Sequence, residues 1–314
     1  MSDKKAIREG FGEAMVELGE KNEKVVLVSA DLEDATKAIA FREKYPRRSF
    51  TTGIAEQDMI GAAVGLAMEG FIPFANSFAV FMTNRAYDQI RMSVCYNNAN
   101  VKMVGSHGGI TVGPDGGSAQ CLEDFAIMRA LPRMKVICPC DAAEAAKATR
   151  VMAEIQGPVY MRTARPPSDM ITKADDPFVI GKANILRDGT DVTIIGCGLI
   201  LNEVLKAREV LSSEGIKAAV VNMHTIKPID EQAIIYAAKT TGAVVTVEEH
   251  QLNGGLGSAV CEVLSCNLPV PVEMVAVRDS FGESGSPDEL LKKYHLKSDD
   301  IVVAVKKAIS RKKS

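Results

Sequence analysis

The 314-residue sequence contains no tryptophan, only four histidines, and aromatic residues at 5%. The histidines, His107, His224, His250 and His295, are too far apart for a shared metal-binding motif. No charge sign dominates: 37 Lys and Arg against 40 Asp and Glu leave a net charge of −3. That balance gives no bulk attraction to nucleic acid or to an anionic membrane. No apolar run approaches the roughly 18 residues of a membrane span, and residues 1–15 lack the apolar core of a signal peptide. The expectation is a soluble cytoplasmic protein that uses neither nucleic acid nor membrane as a partner.

The cysteines add little chemistry. Seven is an odd number, and Cys138-Pro-Cys140 is the one close pair, with no histidine nearby in sequence. Buried, reduced thiols acting as small hydrophobes are expected, and no metal site. A P-loop is missing as well. Gly196-Cys197-Gly198 lacks the third glycine of a dinucleotide fingerprint. Gly254-Gly255-Leu256-Gly257-Ser258 reads as a strand-to-helix turn whose amides could hold an anion.

What is present is an alternation of short β-branched runs with helical segments. Strands are predicted over 24–30, 72–77, 100–106, 134–139 and 158–162, with helices over 56–70, 80–96, 120–130 and 141–156. Apolar strands without polar alternation indicate a parallel sheet covered on both faces. A stretch rich in proline and charge then breaks the rhythm, with room for a short hairpin, before a second α/β series begins. The predicted fold class is α/β in two domains, each a largely parallel sheet flanked by helices. The boundaries are 1–165 and 188–314, joined by a linker over 166–187.

Several residues could carry chemistry. Glu56 opens a helix after a turn, where an acid either stabilises the helix dipole or meets a ligand at the strand ends. Phe78 and Phe81 are three apart and fall on one face of an incipient helix. The glycine-rich stretch from Gly105 to Ser118 lets backbone approach a ligand while His107 and Asp115 supply polar groups. Arg162 and Arg165 end a strand, where a guanidinium could grip phosphate.

Taken in order, Gly53-Ile-Ala-Glu-Gln-Asp-Met59, Asn76-Ser-Phe-Ala-Val-Phe81, the segment from Ser106 to Gly116, and Leu122-Glu-Asp124 resemble the pyrimidine-binding domain of transketolase. Ile226-Lys-Pro-Ile-Asp230 and the run from Val247 to Gly257 resemble the C-terminal domain of that family. The resemblance implies thiamine diphosphate as cofactor and transfer of a two-carbon ketol unit between sugar phosphates. Glu56 then matches the glutamate that hydrogen-bonds the aminopyrimidine, and Phe78 and Phe81 match the aromatics stacked on it. Asp31 matches an acidic residue beside the cofactor. Arg8, His107 and Arg165 fall on positions that contact substrate, the arginines on phosphate, and Asp115 on one that reads a sugar hydroxyl.

The family's diphosphate-binding domain holds the cofactor's phosphates and a divalent metal through Gly-Asp-Gly and a later Asn, and the nearest match here is Pro114-Asp115-Gly116. The expectation is therefore the C-terminal half of a split transketolase, needing a separate N-terminal subunit that holds most of the Mg2+ or Ca2+ site. A homodimer of this chain within an α2β2 complex is implied. Three positions depart from the family: Ala119 replaces histidine or glutamine, Ala35 a phosphate-binding serine, and Asn84 a tyrosine. These departures leave room for a donor and acceptor other than the usual pentose phosphates. Alternatives are the β subunit of a 2-oxo-acid dehydrogenase, or a non-catalytic partner that keeps the fold. Deoxyxylulose-phosphate synthase shares Arg85-Ala-Tyr-Asp-Gln89, but is ordinarily one long chain.

Overall fold

The computed structural model describes residues 4–312. Its larger sheet has seven strands, ordered Thr225–Lys227, Lys135–Ile137, Val159–Arg162, Lys102–Ser106, Ile72–Phe78, Val25–Ser29 and Ser49–Thr51. Six run parallel, and every residue of Val25–Ser29, Lys102–Ser106 and Val159–Arg162 is buried. Such strands need cover on both faces, which the intervening helices provide. The second sheet runs Val272–Val277, Val244–Gln251, Val192–Gly196, Ala218–Asn222 and Asn184–Arg187. Its first four strands are parallel and the last is antiparallel.

Two local expectations change. The linker forms no hairpin of its own. Pro167–Ser168 pairs with Lys5–Ala6, while Asn184–Arg187 joins the edge of the second sheet. The first pairing brings the N-terminus beside the end of the Val159–Arg162 strand, so Arg8 and Arg165 become neighbours in space. The helix expected over 80–96 is instead two wider-coiled π stretches, Phe81–Arg85 and Ile90–Tyr96, around a single α turn at Tyr87–Gln89. Phe78 therefore ends a strand and Phe81 starts a helix, so they do not share a helix face.

The Thr225–Lys227 strand belongs by sequence to the second half, yet it pairs antiparallel with Lys135–Ile137 of the first sheet. The apolar core is similarly shared: Val28, Met59 and Phe125 cluster with Ile195, Val221 and Val260. Five of the seven cysteines are buried, and all seven are free thiols. Burial pushes the Cys95 thiol up to about 11, so it stays protonated and packs as an apolar group.

One charged residue crosses the junction. Arg162 donates through Nε to Asp124 Oδ2 at 2.8 Å and through Nη2 to Asp124 Oδ1, making a two-pronged pair. Its Nη1 donates to the Glu249 carbonyl at 2.8 Å and its Nη2 to the Cys121 carbonyl at 3.1 Å. The guanidinium lies 3.9 Å from the Phe125 ring centre, and Tyr160 donates to Asp124 at 2.6 Å. Four of its five N–H donors are engaged within the protein and the side chain is buried, so Arg162 does not grip phosphate. The Gly254–Ser258 turn is filled in the same way, since the Glu248 carboxylate accepts from Leu256 N and Gly257 N at 2.7 and 2.8 Å.

Breaking a buried pair from one side strands a charge, whereas an exposed pair contributes 1 kcal/mol or less. Asp124→Ala is therefore expected to lower unfolding free energy by about 3–5 kcal/mol. Urea titration followed by circular dichroism checks this; a loss below about 1 kcal/mol would place Arg162 in a water-like environment.

Candidate functional site

The residues singled out by sequence gather at the carboxyl ends of the first sheet's strands, where open α/β folds bind ligands. Glu56 is the first residue of the Glu56–Met68 helix and has no exposed surface. Its Oε2 accepts from Arg85 Nη1 at 2.7 Å, while Oε1 is buried without a partner. A helix-end carboxylate gains some tenths of a kcal/mol from the dipole. Leaving a buried acceptor unsatisfied costs about 1–3 kcal/mol, more when charged. The cost exceeds the gain, so capping alone does not account for Glu56. A hydrogen-bond donor supplied from outside the chain would satisfy Oε1.

From Glu56 a continuous line of contacts runs across the sheet. The Arg85 guanidinium sits 5.0 Å from the Phe81 ring centre. Phe81 stacks on Phe78 at 5.6 Å and 13°, and Phe78 stacks on the His107 ring at 3.8 Å and 18°. His107 Nε2 in turn lies 3.5 Å from Arg8 Nη1. Around Phe78 close Val112 and Ala119, with Leu32, Ala35, Val80 and Phe81 packed against them. The two alanine departures thus meet in one apolar patch. Asn84, the third, donates to Glu123 at 2.8 Å.

The cations lie at the far end of this line. Arg8 donates to the Ala35 carbonyl, and its buried Nε has no partner. Burial, then the nearby Arg165 charge, lowers the Arg8 pKa. Arg165 donates to the Val112 carbonyl at 2.7 Å and pairs with the exposed Asp115 at 3.5 Å. Asp31 sits at the rim, exposed, just past the Val25–Ser29 strand. Asp31 and His107 both adopt left-handed backbone, with φ of 61° and 60°. Such conformations cost energy and cluster at functional sites.

The structure therefore links Glu56, Phe78, Phe81, His107, Arg8, Arg165 and Asp115 through contacts, while Asp31 is tied to them only as the residue before Leu32 of the apolar patch. Clefts of about 560 and 500 Å³, near Gly242–Lys312 and Arg278–His295, hold none of these residues. Sequence reasoning missed Arg85 as the partner of Glu56. The two are 29 residues apart, so no local spacing signals the contact. It likewise missed Glu249 and Gln120, whose bonds to Thr111 and to the Glu283 carbonyl depend on how the two halves dock.

Burial pushes His107 down to about 3, and the Arg8 and Arg165 charges push it the same way. Arg8 faces Nε2 as a donor, which leaves the ring proton on Nδ1, 3.0 Å from Ser106 Oγ. An unfolded chain protonates this imidazole near 6.5 while the folded one does not, so its contribution to stability is lost as pH falls from about 6.5 towards 3. The expected result in nitrogen-detected NMR is a His107 ring still neutral at pH 5. A titration midpoint between 6 and 7 would contradict the buried, cation-flanked environment.

The fold and the site agree with comparisons to known proteins. The transketolase pyrimidine-binding domain model matches residues 3–168, and the transketolase C-terminal domain model matches residues 181–301. A transketolase C-terminal section of Methanocaldococcus jannaschii is 47% identical over 300 residues, covering 95% of this chain and 94% of that protein. A 6-deoxy-6-sulfo-D-fructose transketolase subunit of Clostridium sp. strain MSTE9 is 44% identical, covering 98% and 95%. A solved split-gene transketolase, described as an inactive β4 tetramer, superposes with a TM-score of 0.90 at 45% identity, covering 98% of this chain and 99% of that one. Two successive domains matched in order, and relatives of the same extent, make this chain a split-type subunit of the transketolase family.

Proposed function

We propose that this chain is the pyrimidine-binding half of a thiamine-diphosphate-dependent transketolase that moves a two-carbon ketol unit from a ketose phosphate to an aldose phosphate. A separate N-terminal subunit would complete it, holding the diphosphate and the divalent metal. The pyrimidine-binding domain implies thiamine diphosphate as the cofactor. The observation that carries the reading is Glu56 Oε1, a buried acceptor with no partner in the chain. A protonated ring nitrogen of an aminopyrimidine is the donor it fits. When bound, the cofactor supplies a carbon nucleophile and an electron sink for ketol transfer.

This chain's own residues then divide the work. Glu56 holds and shares a proton at Oε1, while Arg85 fixes the other oxygen and so the carboxylate's orientation. Phe78 and Phe81 offer an aromatic face, and Asp31, next to Leu32 of the same patch, would supply a carboxylate beside the cofactor. Arg8 and Arg165 supply positive charge for an anionic sugar, His107 an uncharged acceptor, and Asp115 a carboxylate for a hydroxyl. The Ala35 and Ala119 patch removes polar partners that a pentose phosphate would use, which favours slower turnover of those sugars. An anionic group other than phosphate suits the same cations, as the sulfosugar named for the Clostridium relative illustrates.

A second copy would pack beside this site. The Glu56–Met68 helix leaves Gly61, Ala62, Gly65 and Met68 exposed, with Ile54 78% exposed just before it. We read that face as the contact between copies within an α2β2 complex. The inactivity stated for the split-gene β4 tetramer supports the need for the other subunit. A purely structural role for the chain leaves Glu56 Oε1 unexplained.

The purified chain alone is expected to bind thiamine diphosphate poorly and to transfer no ketol unit, with activity appearing on mixing with an N-terminal subunit. Robust turnover by the lone chain would refute the split arrangement. In the mixed complex, Glu56→Gln is expected to cut kcat by at least about a hundredfold with an unchanged unfolding midpoint. Retention of most activity would reduce Glu56 to a helix-end residue.

A further inference from the structure

Among the described residues, the C-terminal half places no side chain along the line from Glu56 to Arg8, yet it grips the glycine-rich loop that carries His107 and Asp115 and that Arg165 bonds. Glu249 is buried, and its Oε2 accepts from Thr111 N at 3.1 Å and from Thr111 Oγ1 at 2.8 Å. Gly109 has φ of 90°, and a Cβ there would stand 2.4 Å from the same oxygen. The loop backbone thus lies directly on the carboxylate. A second hold comes from the buried Gln120, whose Nε2 donates to the Glu283 carbonyl at 2.9 Å and to the Ile110 carbonyl at 3.2 Å. Gly282 presses on its other side, where a Cβ would fall 1.7 Å from Gln120 Oε1.

On the opposite face of the loop, the Val112 carbonyl accepts from Arg165, and Arg165 reaches Asp115. The Ile110–Val112 turn is therefore strung between the C-terminal half and a cation of the candidate site. Glycine-rich loops sit at the low end of local stability unless tied down. Hydrogen bonds to a carboxylate are about twice as strong as neutral ones, so Glu249 is the stronger of the two ties.

We propose that Glu249 and Gln120 are positioning residues: by fixing the Ile110–Val112 turn they set Arg165 and Asp115 for an anionic sugar, making the C-terminal half a clamp on the substrate loop. The identity of the substrate rests on the transketolase reading above, whereas the clamp rests on the contacts alone. Neither residue is placed to touch the cofactor, so the predicted defect is in substrate binding.

The test compares wild type, Thr111→Val and Glu249→Gln in the complex with the N-terminal subunit. Thr111→Val keeps the side chain's shape and removes only the hydroxyl tie. It is expected to raise KM for a phosphorylated ketose by about three- to tenfold, with kcat and the thiamine diphosphate Kd within twofold and KM for an unphosphorylated ketose nearly unchanged. Glu249→Gln is expected to give a larger rise of the same pattern; if it fails to fold, Thr111→Val decides. Hydrogen exchange supplies a readout that needs no turnover, with amides 109–116 exchanging faster in Thr111→Val while those of Val244–Gln251 stay protected. Unchanged exchange in the loop, or equal losses on both ketoses in step with a lower unfolding midpoint, would overturn the clamp. A wild-type complex that turns over neither ketose while loop exchange responds as expected would instead sink the transketolase reading and leave the clamp standing.

Discussion

The docking of the two halves depends on a guanidinium that never reaches solvent. Arg162 satisfies Asp124 and the Cys121 carbonyl on one side and the Glu249 carbonyl on the other. Removing a charge of this kind from water is costly, and the cost is offset only while all partners hold their geometry. The pair therefore fixes more than stability. It sets where the Val244–Gln251 strand ends relative to the first sheet, and hence where the neighbouring carboxylates of Glu248 and Glu249 lie. One of those caps the Leu256–Asn267 helix, and the other holds the Ile110–Val112 turn.

Charge within the site is distributed along a gradient. At one end a buried carboxylate has an open acceptor, balanced by a half-exposed arginine. At the other, burial and then the charges of two arginines keep the imidazole beside the aromatics uncharged. Between the ends lies an apolar wall of Phe78, Val112, Ala119, Leu32 and Ala35. Polar groups set apart by a hydrophobic span recognise a ligand with distinct ends, and the span excludes the water that would screen them.

Much of this was legible in the sequence, for identifiable reasons. The parallel sheets announced themselves because doubly covered strands carry continuous apolar runs, and Val25–Ser29 and Val192–Gly196 do so plainly. The ordered motifs located Glu56, Phe78, Phe81, His107 and Asp115, which then proved close in space. Roles that depend on tertiary register were not legible. Arg162 and Arg165 look alike in the sequence, yet one is buried and paired inside the protein and the other faces the site. The hairpin expected in the linker failed because Pro167–Ser168 and Asn184–Arg187 each found a longer-range partner. No short-range pattern encodes such choices.

The strand Thr225–Lys227 makes the two halves share an edge: it pairs with Lys135–Ile137, a strand about 90 positions earlier in the chain. A fragment ended in the linker would bare the Lys135–Ile137 edge, with its unpaired amides and carbonyls open to any passing strand. The linker is thus a joint in sequence but not in folding. Division of the chain between its two domains would part that strand from the sheet whose edge it completes.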